Sequence, residues 1–182
     1  FSLYRPYSEL SRLNRTGLLV GPSQDFRLLV EKSLAAWDQS QGAFNPAIQP
    51  LWQFLARHFA EGGARPPVKS EIEACLTLCD PSRISLRSDR IMLAPRQALT
   101  FNGIAQGYVT DRVAELLESA GLSNILIDLG EIYALPGRDW RVGIAGTSQA
   151  VNLNRRAIAQ SAGAGTRFTA DGHWHHLIDP TS

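Results

Sequence analysis

Four groups of residues have types and spacings that could do chemistry. The turn Asn102-Gly103-Ile104-Ala105-Gln106-Gly107-Tyr108 opens the most regular helical pattern in the chain. Backbone N–H groups at a helix N-terminus suit an anion such as phosphate. The turn has neither the Lys-Ser/Thr pair of a Walker A loop nor a GxGxxG pattern. By residue type alone it is either an anion cradle or a plain strand-to-helix connection. Asp111 follows in what reads as the first helical turn, where a carboxylate complements the helix dipole. Leu129-Gly130-Glu131-Ile132 places a carboxylate after a glycine between apolar residues. Gly130 marks a bulge or a close backbone approach, and Glu131 is either a site group or an exposed edge residue. His173, His175 and His176 stand with Asp179 in a strand-like run. Alternation across a strand puts His173 and His175 on one face and His176 on the other, with Ile178. Two imidazoles on one face resemble a metal site, but zinc takes three or four ligands and no third is apparent. A single histidine acting in a site fits better, and His176 is expected to be the one facing inward. Finally, Tyr4-Arg5-Pro6-Tyr7-Ser8-Glu9-Leu10 combines an aromatic, a guanidinium and a hydroxyl. That set can stack on a planar ring and bind phosphate; the alternative is an irregular segment with an N-cap serine.

The elements that must position these groups follow from periodicity. Ser23 to Asp38 predicts an amphipathic helix capped by Ser23, with Phe26, Leu29, Val30 and Trp37 on one face. Gly42 to Pro46 breaks it. A second helix is expected from near Pro50, with Leu51, Phe54, Leu55 and Phe59 as its stripe. Gly62 to Pro67 reads as a loop. Ser70 and Glu73 have capping-box spacing and open a third helix that turns Ile72, Cys75, Leu76 and Cys79 inward. A hairpin is expected around Arg87 to Arg90. The fourth helix, Gln106 to Ala120, sets Val109, Val113, Leu116, Leu117 and Ala120 on one face, with Gly121 at its C′ position. Strands are expected at 124–129, 131–135, 140–144, 156–161 and 173–179. Helices first and strands later favour an α+β fold with a largely antiparallel or mixed sheet.

Composition narrows the classes. The chain has 182 residues, room for one domain or two very small ones, and no run approaches a membrane span. Eighteen Lys and Arg against seventeen Asp and Glu leave a net charge of +1, and the basic residues are scattered along the sequence, so a dedicated nucleic-acid binder is excluded. Cys75 and Cys79 cannot form a disulfide scaffold; four apart on a helix, they read as small buried apolar residues. The chain starts at Phe1 and ends just after a strand-like run, so it is expected to be part of a larger protein.

In this order, the segments resemble the ApbE-type flavin transferases. Phe1 to Asn14 is similar to the family opening S-x-Y-x-x-x-S-E-L-S-x-L-N. Gly42 to Pro46 with Pro50-Leu51 resembles G-A-F-D-P-T-x-x-P-L, and Gly103 to Tyr108 with Asp111 resembles G-x-x-K-G-Y-x-x-D. Leu129 to Ile132 resembles N-L-G-G-E-I, and His176 to Pro180 resembles H-I-I-D-P-x-T-G. The resemblance covers essentially the whole chain, read as a single domain over 1–182.

The resemblance implies a reaction: FAD binds, a divalent metal (usually Mg²⁺) engages its pyrophosphate, and a threonine hydroxyl of a target flavoprotein takes FMN while AMP leaves. It also implies roles. Tyr4 matches an aromatic that contacts flavin. Ala43, Phe44 and Asn45 match a loop lining the FAD pocket, with Thr100 just upstream of the glycine turn. The Gly103 carbonyl matches a metal ligand. Gln106 stands at the position of a FAD-contacting lysine, Glu131 and Ile132 match a strand along the nucleotide, and His176 matches the site histidine. Gln106, Asn45 and Thr100 depart from the family's lysine, aspartate and acid. Ser161 to Phe168 replaces the commoner S-G-D-Y loop. The family's upstream M-G-T strand and the downstream D-A-x-x-T segment with its metal ligands are expected outside the chain. The alternative is therefore a FAD-binding homologue or scaffold that has lost transfer. The resemblance implies a periplasmic or cell-envelope location, with any membrane contact made by an anchor outside this stretch.

Overall fold

A computed structural model describes residues 1–62, 65–163 and 165–181. The chain divides into two compact units, Phe1–Gly103 with Ala162–Ser182, and Ile104–Ser161.

In the first unit, Ser8 caps α1 (Glu9–Thr16) by accepting the Ser11 N–H. Gly17 ends α1 with φ +70° and donates its N–H to the Leu13 carbonyl, a left-handed conformation that costs glycine least. The Tyr4–Leu10 segment thus contains the N-cap serine and then a helix that periodicity does not announce. Strand β1 (Leu18–Val20) follows. Ser23 caps α2 (Gln24–Gln39) as expected, accepting the Phe26 N–H, and Phe26, Leu29 and Val30 are buried. Glu9 accepts from both the Ser23 N–H and its hydroxyl at 2.6 Å, tying α1 to the start of α2.

Helix α3 (Gln49–Ala60) begins one residue before Pro50. Helix α4 (Lys69–Leu76) begins before the Ser70–Glu73 box; Glu71 accepts the Val68 N–H instead. Cys79 therefore lies beyond the helix end, buried, with its thiol donating to the Cys75 carbonyl at 3.3 Å. Part of the expected 62–67 loop, residues 63 and 64, lies outside the described residues. The hairpin is present as β2 (Ser85–Leu86) and β3 (Arg90–Met92), and β1 joins it in the antiparallel order β1-β3-β2. Leu10, Leu13, Phe26, Leu29, Ile91, Leu99 and Phe101 are fully buried. Asn14 clamps this core: its amide donates to the Leu99 carbonyl and accepts the Leu99 N–H, both at 2.8 Å.

The second unit opens with α5 (Ala105–Ser119), and Gly121 follows with φ +75°. Starting at Ala105, the helix places Asp111 in its second turn. The buried side is also rotated from the expected stripe. Thr110 and Ala114 are buried and Val113 and Leu117 pack on Ile127 and Leu135, while Leu116 is 67% exposed. Small residues at 110 and 114 let the helix approach the sheet closely, and a count of large apolar residues overlooks them. Strands β4 (Leu126–Asp128), β5 (Ile132–Ala134) and β8 (Arg156–Ile158) form an antiparallel sheet in the order β4-β5-β8. A separate hairpin, β6 (Trp140–Gly143) with β7 (Ala150–Leu153), packs on it through Ala134, Val142 and Leu153.

The α+β class with antiparallel pairing is as expected, distributed over three small sheets among the described residues. The sequence reading misses β1 and β7. It also predicts a strand over 173–179, which is corrected here: the segment makes a single antiparallel bridge, Arg167 to His175. Trp174 and Ile178 are drawn onto the α3–α4 core, and side-chain packing there takes the place of a ladder.

Asn14→Ala removes both bonds to Leu99 and leaves a buried amide unpaired. It is expected to lower the unfolding free energy by about 2 kcal/mol, read as a lowered urea midpoint at unchanged slope.

Candidate functional site

In the first unit Asn45 is the hydrogen-bonding centre of the 43–46 loop. Its Nδ2 donates to the Cys79 carbonyl and its Oδ1 accepts the Ala47 N–H, both at 2.8 Å. One residue on, the Pro46 carbonyl accepts the Thr100 N–H at 2.8 Å. Asn45 is thus spent on joining the 43–46 loop, the end of the α4 region and the entry to α3. The Cys79 contact needs a donor, which explains an asparagine where the family pattern has aspartate. Cys79 is itself shielded from water, which pushes its thiol up to about 11 and keeps it neutral.

Thr100, pinned through its backbone, accepts the Asn102 N–H on its hydroxyl at 3.3 Å. Three residues later Gly103 lies under the Phe44 ring: a Cβ there would sit 3.2 Å from Phe44 Cε2. The structure therefore brings Phe44, Asn45, Thr100 and Gly103 together around one loop, with Ala43 exposed beside them. Tyr4 is apart in character, 84% exposed. Its segment is held by the Ser2 carbonyl, which accepts from the Ser8 and Ser11 hydroxyls, and by the Phe1 ring, which stacks 6.2 Å from Phe26 and meets Phe101 edge-on at 6.4 Å.

His176 is half-buried and faces the Thr166 backbone, whereas Ile178 enters the core. Its Nδ1 lies 3.2 Å from the Thr166 N and 3.1 Å from the Thr166 O. That nitrogen is committed to the backbone in either tautomer, leaving Nε2 as the one available for chemistry. The pose depends on glycine: a Cβ at Gly165 would come within 3.3 Å of His176 Cε1. A Cβ at Gly163 would come within 2.6 Å of His175 Cδ2. The stretch is fastened to α3 by aromatic contacts, Phe168 stacked 6.3 Å from Phe59 and Trp174 at 5.5 Å from the same ring. The turn between Phe168 and Trp174 is organised by Asp171, which accepts from the Thr169 hydroxyl and the His173 N–H; those bonds hold its carboxyl below the usual range. Thr166 and Asp171 have no catalytic signature in sequence; the only available signal was the pair of glycines before them. Residue 164 of this loop lies outside the described residues.

In the second unit, Gln106 and Gly130 touch: a Cβ on Gly130 would lie 2.6 Å from Gln106 Nε2, and Gly130 has φ +93°. Its N–H donates to Asp128 Oδ1 at 3.1 Å. Beside it, Glu131 carries a buried Oε2 with no hydrogen-bond partner among the described residues. An orphaned carboxylate oxygen asks for a donor, and a nucleotide hydroxyl or amine would supply one. The Ile132 side chain packs on Ala134, Val142 and Leu153. Among the described residues no three His, Cys, Asp or Glu side chains gather as metal donors.

Comparison with known proteins places this geometry. The model of the ApbE family matches residues 1–182. The FAD:protein FMN transferase of Treponema pallidum is 29% identical over 85% of this chain and 50% of its own length. That of Klebsiella pneumoniae is 30% identical over 85% of this chain and 51% of its own. The apo flavinyl transferase ApbE of Pseudomonas stutzeri superposes with a TM-score of 0.82 at 26% identity, covering all of this chain and 60% of that one. The chain spans about half the length of the curated relatives it matches.

Asn45→Asp puts an oxygen against the Cys79 carbonyl. It is expected to cost about 1–3 kcal/mol near pH 7. The new carboxyl's folded pKa is raised above its unfolded value, because only the protonated form can donate. The deficit is then absent below the unfolded value of about 4 and grows as pH rises through the folded one. Urea melts of variant and parent, compared at acid and neutral pH, check it; an equal deficit at both would remove the donor argument.

Proposed function

The chain belongs to the ApbE family, and on that premise we propose that the protein is a FAD:protein FMN transferase acting on a threonine of a target flavoprotein. The threonine oxygen forms a bond to the FMN phosphorus, the pyrophosphate bridge breaks, AMP leaves and the hydroxyl proton passes to a base. FAD, as substrate, supplies the phosphoanhydride. Within this chain, Tyr4 and Phe44 offer aromatic faces for the flavin and Glu131 accepts from the nucleotide. Gln106, in contact with Gly130, donates a neutral hydrogen bond toward the phosphates. His176, held through Nδ1 by Thr166, presents Nε2 as the proton acceptor.

The observation that carries the reading is the orphaned Glu131 oxygen beside the Gln106–Gly130 contact. It is an unsatisfied acceptor where the family pattern expects nucleotide. A divalent cation, Mg²⁺ by the resemblance, belongs to the same reading. The described residues assemble no side-chain donor set for it; by the resemblance, the Gly103 backbone carbonyl would be one of its ligands. The resemblance supports a periplasmic or cell-envelope location.

A FAD-binding homologue without transfer is the second reading, favoured by the missing cation at Gln106. The Asn45 exchange does not add to it, since that amide is used by the fold.

Incubating the full-length protein with FAD, Mg²⁺ and a threonine-bearing target is expected to give a covalent, fluorescent flavin on the target and none on its Thr→Ala form. FAD binding without covalent flavin would favour the second reading. Gln106→Lys converts a neutral contact into a charge-assisted one, a gain of about 1–2 kcal/mol. FAD affinity or transfer rate is expected to rise severalfold, up to about tenfold, and the gain to shrink with salt. No change at low salt would show that residue 106 does not face the phosphates.

A further inference from the structure

The basic residues that look scattered in the sequence are gathered in one place by the second unit. In β6–β7 the register pairs Trp140 with Leu153 and Arg141 with Asn152. One step further out, Asn154 Nδ2 donates to Asp139 Oδ1 at 3.1 Å and closes the end of the hairpin. Arg138, Arg141, Arg155 and Arg156 each lie within two residues of that bond, and all four are exposed. Two residues of chain reach less than about 8 Å, so the four positions share one end of the hairpin. Residues 138–156 hold four arginines and a single acid, a net +3 in a chain whose total is +1. The single acid, Asp139, accepts from Asn154, and none of the four arginines has an ion pair among the described residues. Elsewhere Lys69, Arg90 and Arg112 are paired with Glu73, Asp89 and Glu115. Arg138 is further ordered by lying 3.6 Å over the Trp140 ring, which leaves its N–H edge to solvent while fixing its plane.

We propose that this end of the β6–β7 hairpin is a docking face for an acidic polypeptide segment of a partner protein. Four unpaired guanidinium groups, no lysine and one neutralised acid suit carboxylates, which arginine binds by two parallel N–H···O bonds. Nucleic acid fits less well, because the one aromatic here, Trp140, has its face covered by Arg138 and cannot stack a base. A membrane surface fits less well, because no large apolar side chain between 138 and 156 is exposed to enter it. The proposal is independent of the transferase reading.

The test is fluorescence anisotropy of a labelled polyglutamate peptide titrated with this chain at low salt and at about 0.2 M NaCl, where charges are screened beyond about 8 Å. Binding is expected at low salt, with at least a tenfold loss in the higher salt. Arg141→Gln/Arg155→Gln is expected to weaken it at least tenfold. Arg65→Gln/Arg87→Gln, an equal loss of charge in the other unit, is expected to leave it within twofold. Arg141→Lys/Arg155→Lys keeps the charge, guards against a misfolded variant, and is expected to bind with intermediate affinity. The proposal is overturned by any of three results: no binding at low salt, equal weakening by the two Gln pairs, or tighter binding of a single-stranded DNA oligomer or of phosphatidylglycerol vesicles than of the peptide.

Discussion

The first unit depends on one side chain that makes two opposite hydrogen bonds. Asn45 donates with one end of its amide and accepts with the other, so the loop at 43–46 has a single register against both the Cys79 carbonyl and the start of α3. Pro46 has no N–H to give, but its carbonyl fixes Thr100, and through Thr100 the approach to Gly103 is set. The Phe44 ring then lies close over Gly103, where a Cβ would sit 3.2 Å from Cε2 and the ring would have to shift by a few tenths of an ångström. A loop that must hold a single conformation needs such a constraint. Without it, several loop conformations would be similar in energy, and the ordering cost would be charged against binding.

The histidine is placed by a different device. A regular strand would have fixed it by a ladder; here rings do so. Phe59, Phe168 and Trp174 pack the segment onto α3, Asp171 closes the intervening turn, and Thr166 takes Nδ1. Packing of this kind fixes the position of the segment without a backbone ladder. The two glycines before Thr166 are the steric condition for it, since a Cβ at either would press on His175 or His176.

Charge is distributed in the same economical way. The ion pairs Lys69–Glu73, Arg90–Asp89 and Arg112–Glu115 are local in sequence and exposed, so they contribute little to stability. The arginines of the β6–β8 region are left unpaired and gathered by register, one of them ordered on a tryptophan face. Unpaired charge on an ordered scaffold serves recognition better than stability.

The sequence by itself determined the family, the α+β class, the caps at Ser8 and Ser23, the hairpin around Arg87–Arg90, and which short segments resemble the family's motifs. These are readable because caps, turns and motifs act over a few residues, where spacing alone fixes geometry. Tertiary structure decided what spacing cannot. The buried side of α5 follows Thr110 and Ala114 rather than Leu116, because closeness to the sheet counts for more than side-chain size. The 173–179 run is not a strand, because Trp174 and Ile178 gain more from the α3–α4 core than from a ladder. Asn45, read as a pocket residue, is held by a carbonyl 34 positions away, and no local pattern reports a hydrogen bond to so distant a partner. The arginine cluster is likewise invisible along the chain, since Arg138 and Arg141 come beside Arg155 and Arg156 only once β6 pairs with β7.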